Sequence, residues 1–210
     1  MSNNRAVGPK EGTRPAAESV ALSGHRWVSE YRSANRLQDL RQPFRSHAEA
    51  FVGALRAAGA SVTINATYRN PKRAYLMHWC WKIAKSRVSP EDVPAMEGVS
   101  ISWKHYDKGD RYSHDQSVAA ARAMVRAFQM ERLGVAPSLT SRHTLGFGID
   151  MTISWHGELI LPDAYGHIVR ITSLPRAGMN RELHRVGASY GVIKYNRGGR
   201  DDPHWSDTGA

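Results

Sequence analysis

The apolar positions of this chain fall into blocks with helical spacing and blocks that alternate. From Ser46 to Ala58, the positions Ala50, Phe51, Ala54, Leu55 and Ala58 recur at helical spacing and Gly59 supplies a stop, which predicts an amphipathic helix. Ala60 to Tyr68 is rich in β-branched residues and alternates Val62, Ile64, Ala66 and Tyr68, which predicts a strand. Arg69-Asn70-Pro71 turns the chain, and Lys72 to Ser86 is a second predicted helix. Val88 to Arg111 carries Pro90, Pro94, Gly98 and Gly109, so it is predicted to be irregular apart from a short strand over Val99 to Trp103. Asp115 to Leu133 has the clearest helical period, with Asp115 or Ser117 as its cap and Gly134 as its stop. Ile149 to Trp155 and Glu158 to Leu161 predict a hairpin around His156-Gly157. Asn180 to Ser189 predicts a last helix, and Val192 to Tyr195 a strand that delivers the loop before His204.

Helices followed by a small antiparallel sheet with helices around it make an α+β layout. At 41% hydrophobic and 23% charged residues, the chain can bury an ordinary core, and one domain from 23 to 210 is expected. Residues 1–22 are small, polar and Gly/Pro-containing with no sustained apolar period, which predicts a flexible N-terminal tail. No stretch reaches the roughly 18 apolar residues that span a bilayer, and no basic region followed by an apolar run marks a signal peptide. A protein made in the cytoplasm is expected. Cys80 is the single cysteine, so neither an internal disulfide nor a Cys-based zinc site can form, and its Trp79 and Trp81 neighbours predict a buried thiol.

The net charge of +10 calls for an anionic partner. Between Ser61 and Pro90 stand Arg69, Lys72, Arg73, Lys82, Lys85 and Arg87 with no acid, interleaved with Tyr75, Trp79 and Trp81. Such a stretch suits nucleic acid, a solvated helix face with inward aromatics, or an anionic cell-envelope polymer.

The candidate chemistry decides among these. Ser141-Arg142-His143-Thr144-Leu145-Gly146-Phe147-Gly148-Ile149-Asp150 is followed much later by Asp201-Asp202-Pro203-His204-Trp205. Two histidines and a carboxylate are what a catalytic zinc ion takes from a protein when its fourth position is kept for water. Seven residues from His143 to Asp150, with Gly146 and Gly148 between, fit a turn leading into a strand and exclude a single helix face.

The run fits S-x-H-x-x-G-x-[small]-x-D with a later acid-x-x-His, and in this it resembles the M15 group of zinc D,D-peptidases and endolysin-type L-alanyl-D-glutamate peptidases. The resemblance covers about Arg45 to Trp205. It implies the M15 fold, similar to D-Ala-D-Ala carboxypeptidases and hedgehog-like proteins, with the zinc site at the sheet edge. It implies zinc on His143, Asp150 and His204, with Asp201 as the catalytic base and Asp202 as its competitor. Arg69, in Ala66-Thr67-Tyr68-Arg69, resembles the family's S-G-Y-R segment and is implied to hold an oxyanion or a substrate carboxylate, although Thr67 stands for the usual Gly and Ala66 for the usual Ser. Ser141, Tyr68 and Trp205 are implied to orient ligands or line the substrate pocket.

The function expected is a bacteriolytic, endolysin-like zinc peptidase, a monomer that cuts a peptide stem of bacterial peptidoglycan after release from a phage-infected or secreting cell. Anionic envelope polymers are expected as additional partners. The alternative is a basic metal-dependent nuclease or nucleic-acid-binding module, which would use magnesium-type ions in place of zinc.

Overall fold

The structure is a computed structural model, in which residues 20–195 and 202–210 are described. In chain order the described elements are β1 (Ala21–Leu22), α1 (Trp27–Glu30), α2 (Phe44–Ala57), β2 (Ser61–Ala66), α3 (Pro71–Ala84), β3 (Ile101–Ser102), β4 (His105–Tyr106), β5 (Tyr112–Ser113) and α4 (His114–Ala127). They continue with α5 (Arg142–Leu145), β6 (Gly148–Ser154), β7 (Leu159–Pro162), β8 (Ile168–Ile171), α6 (Arg181–Ser189), β9 (Ile193–Lys194) and β10 (His204–Ser206). The mixture of helices and small, mostly antiparallel sheets is α+β.

Two hydrophobic cores divide the molecule. The first lies between α1, α3 and α4 and buries Trp27, Leu76, Cys80, Trp81, Ile83, Val118, Ala121 and Met124. Helix α3 begins well because Asn70 accepts the backbone N–H of Lys72 and Pro71 occupies the first turn. It buries Ala74, Tyr75, Leu76, Cys80, Trp81 and Ile83, while α4 turns Val118, Ala121, Met124 and Val125 toward it. The second core fills the space between α2, α6 and the inner face of the main sheet, with Phe51, Leu55, Ile149, Met151, Leu183 and Trp205 fully enclosed. Each fully buried side chain of the Val/Leu/Ile/Phe/Met class contributes roughly 1.5–3 kcal/mol.

The main sheet has the order β2-β6-β10-β9, antiparallel throughout. Strands β6 and β10 are therefore interior, so the expected position of the metal site at the sheet edge is corrected: Asp150 and His204 stand on the two inner strands, at one end of the sheet, and His143 stands on α5. The expected hairpin between β6 and β7 is also corrected. Strand β7 pairs with β8, Leu159 opposite Ile171, across a turn in which Asp163 Oδ1 accepts the backbone N–H groups of Tyr165 and His167. Helix α4 is capped by Ser113, which accepts from Gln116, and it stops at Ala127. The stop comes before Gly134 because Gln129 takes the left-handed conformation, φ 58°, and Met130 N–H turns back to Val125 O at 3.0 Å. At the other end of the chain, Ala21 and Leu22, placed by composition in the tail, form a strand parallel to Ile101–Ser102.

Candidate metal centre

The site is assembled from three pieces of chain. Asp150 is the third residue of β6, and in the sheet register it stands opposite His204 of β10. Directly opposed residues of an antiparallel pair share a face, so both side chains leave the sheet on the same side. The next pair along, Ile149 and Trp205, points the other way, into the core. On the far side of β6 the register with β2 shifts between Ile64 and Ala66, a bulge that brings Ala66 opposite Asp150.

His143 comes from the single helical turn α5. Ser141 closes its N-terminus, accepting from the N–H of Thr144 while its own N–H donates to Thr144 Oγ1, and Gly146 ends it with φ 80°. The turn is tied to the segment after β2 by two bonds: Arg69 N–H to His143 O at 3.1 Å, and His143 Nδ1 to Thr67 O at 2.6 Å. Gly148 makes the close packing possible, since a Cβ there would sit 2.9 Å from the His143 backbone N and 3.1 Å from His204 Cε1.

The three donor atoms converge. His143 Nε2, His204 Nδ1 and Asp150 Oδ1 are each 3.0 Å from the other two. Both histidines are buried, and the Asp150 side chain keeps 18% of its exposure. A carbonyl oxygen only accepts, so Thr67 O fixes the proton of His143 on Nδ1 and leaves a lone pair on Nε2. On His204 the outer nitrogen Nε2 likewise faces the Ala210 backbone oxygen at 3.3 Å, which leaves Nδ1 the inward lone pair. Two lone pairs and a carboxylate directed at one point repel each other until a cation lies between them. Their spacing is close to the about 3.3 Å that tetrahedral donors show at zinc bond lengths. The residues fit a metal ion, and His143, Asp150 and His204 form a group able to hold one. Burial alone would raise the pKa of Asp150; in the absence of a cation, protons on the inner nitrogens of His143 and His204 would outweigh it and hold the carboxyl well below its usual range, a role that a metal ion takes over when the inner nitrogens keep their lone pairs.

The remaining expected residues fall in different places. Asp201 lies outside the described residues, and Asp202 is exposed. Tyr68 and Arg69 are half-buried on the segment whose backbone docks the His143 turn, with Tyr68 O accepting from Ala34 N–H. Ser141 acts through the turn it caps. Trp205, expected to orient ligands or line the substrate pocket, is a core residue with no exposure and so does not line a pocket; it packs 5.5 Å from the rings of Phe51 and His184, as strand alternation beside His204 requires.

Other contacts at the site were not anticipated from the sequence. Arg142 makes a two-pronged ion pair with Asp207, joining the turn that carries His143 to the chain just beyond His204. Lys194, buried in β9, donates Nζ to Tyr195 O at 2.6 Å and to His204 O at 3.2 Å, steadying the other histidine through its backbone. An Arg directly before one ligand and an Asp three residues after another was a readable signal for the first pair. The Thr67 carbonyl had none, because any residue supplies one.

No protein-family model matches the chain, and no curated protein matches it. One solved structure does: a mutant of the vancomycin resistance D,D-pentapeptidase VanY, from the VanB-type resistance cassette, in complex with Zn(II). It is 16% identical, the match covers 90% of this chain and 86% of that one, and the TM-score is 0.35. So distant a likeness carries no argument about the site, which rests on the geometry above.

Proposed function

We propose that the chain is a zinc-dependent peptidase of the bacterial cell wall, acting on the peptide stem of peptidoglycan. The observation that carries the proposal is the set of three inward donors, two imidazole nitrogens whose outer nitrogens face backbone oxygens and one carboxylate oxygen. Imidazole donors suit zinc, whereas magnesium takes carboxylates, carbonyls and water, so the donor set favours the peptidase over the magnesium-type nuclease. The sequence resemblance to M15 enzymes supplies the substrate class.

Zinc bound here supplies a Lewis acid that lowers the pKa of its water toward 7 and polarises a peptide carbonyl. The chain's own residues do the rest. His143, Asp150 and His204 hold the ion, with Thr67 O and the Ala210 backbone oxygen fixing the two rings. Asp201 takes the proton of the attacking water and returns it to the departing amine. Arg69 holds the carbonyl oxygen or a stem carboxylate by paired hydrogen bonds. Cationic surface concentrates the enzyme on the anionic wall and its polymers. The finer assignment is an endolysin-like monomer, released from the cytoplasm in which it is made. Among the described residues no helix is long and apolar enough to cross a membrane.

The test is mass spectrometry of purified peptidoglycan after digestion. The proposal expects stem fragments with one new amine and one new carboxylate per cut, absent when a zinc chelator is added. An undigested wall with the zinc-loaded protein would reject it.

A further inference from the structure

Away from the metal centre, a cleft of about 760 Å3 opens between α1 and α3, and its lining is cationic. His25, Arg26, Arg32 and Arg73 contribute to it, with Ser29 and Ser33 as further polar groups and no acid. Among the described residues, none of the three arginines has a carboxylate partner. Arg26 and Arg32 are exposed. Arg73 is fixed: its Nη1 donates to Val28 O at 2.7 Å and Tyr31 O at 3.0 Å, and its guanidinium lies 4.8 Å above the Phe128 ring. Its Nε is buried with no hydrogen-bond partner. The guanidinium is thus pre-positioned with one N–H left unused, which is unfavourable in a desolvated setting. Burial, and then the charge of nearby Arg69, depress the pKa of Arg73.

The cleft is also joined to the metal centre. Ala34, next to its lining residue Ser33, accepts from Thr67 N–H at 2.8 Å and donates to Tyr68 O at 3.0 Å, and Thr67 is the residue that holds His143. Cleft and metal centre are therefore linked through the backbone of one short segment.

We propose that this cleft is a binding site for an oxyanion, a carboxylate or phosphate group, with Arg26, Arg32 and Arg73 as its donors. The cleft itself stands without the peptidase proposal. Only the assignment of the oxyanion to a second carboxylate of the stem peptide, held while the scissile bond lies at the metal, rests on it.

The experiment is a calorimetric titration of the zinc-loaded full chain with sulfate, a weak ligand for zinc, at low salt. Wild type is compared with an Arg26→Gln, Arg32→Gln double variant and an Arg26→Lys, Arg32→Lys control. Arg73 is left intact because it ties α1 to α3. Wild type binds saturably, the Gln variant binds about tenfold more weakly at equal zinc content, and the Lys control recovers most of the loss. Equal binding by all three proteins, or no saturable binding by wild type, overturns the proposal. A stem peptide with a free terminal carboxylate that displaces sulfate, when its amide does not, assigns the cleft to substrate. Displacement by inorganic phosphate and by neither peptide assigns it to a phosphate-bearing ligand. None of these readings needs hydrolysis, so failure of the peptidase proposal and failure of the cleft are seen separately.

Discussion

The helical half and the sheet half of this molecule are built by different means. In the half formed by α1, α3 and α4, contacts come mainly from the two 14-residue helices α3 and α4, and the core holds aromatic rings, aliphatics and a thiol. In the sheet half, strands of two to seven residues bring Thr67, His143, Asp150 and His204 together from distant parts of the chain. Periodicity produces the first half, while register and single backbone bonds produce the second. Stability and chemistry should therefore separate under mutation.

The sharpest separation is expected at the ligands. Asp150→Ala removes one inward donor from the cluster, and peptidoglycan hydrolysis should fall by at least about a thousandfold with loss of zinc; an active, zinc-loaded variant would break the comparison. Asp201→Ala is expected to keep zinc and fold while hydrolysis drops by about two to four orders of magnitude, the range for a lost general base. If Asp202→Ala is the inactive protein instead, the base is misassigned.

In the helical half the effect is on stability. Leu76 is fully enclosed between helices, and Leu76→Ala should cost about 2–5 kcal/mol in denaturant unfolding while the folded protein keeps its zinc. Gly148→Ala is the inverse case. The added methyl meets the His143 backbone and the His204 ring, so chelator competition should show zinc affinity lower by about 10–100-fold, the range for lost ligand support, with a smaller change in melting temperature. An affinity equal to wild type would mean that the close packing at Gly148 does not position the ligands.

How much of this was legible follows the same division. Phe44–Ala57 and Pro71–Ala84 were readable because their buried residues recur at helical spacing and Gly59 and Pro71 punctuate them. The end of α4 was misplaced because apolar residues continue past it: Met130 is buried in the same core but reaches it from a turn. The partner of β7 was missed because Ile168–Ile171 is too short to show a period, and adjacency in sequence suggested β6 instead. Donor types and spacing pointed to His143, Asp150 and His204, whereas the carbonyl of Thr67 and the bulge in β2 leave no sequence signature. Trp205 was misread by its adjacency to His204, since one step along a strand changes the face.

The smallest expected effect concerns acid, and each half contributes one group. His105, bonded to Ser23, and His184, set against Trp205, both have pKa values lowered by burial, partly offset by their hydrogen bonds. A histidine whose folded pKa lies below its unfolded value of about 6.5 contributes no penalty above that pH; its destabilisation grows as pH falls from there toward the folded pKa. The chelated protein should melt at lower temperature at pH 5 than at pH 7, and the difference should shrink in a His105→Gln, His184→Gln variant. An unchanged difference would place the acid sensitivity elsewhere.

The central claim, that His143, Asp150 and His204 form a zinc centre, is tested most directly by metal analysis of the purified protein beside a His143→Ala, His204→Ala double variant. About one zinc per chain is expected in wild type and none held by the folded variant. Wild type that binds no zinc when supplied with it, or a double variant that binds as much, would contradict it.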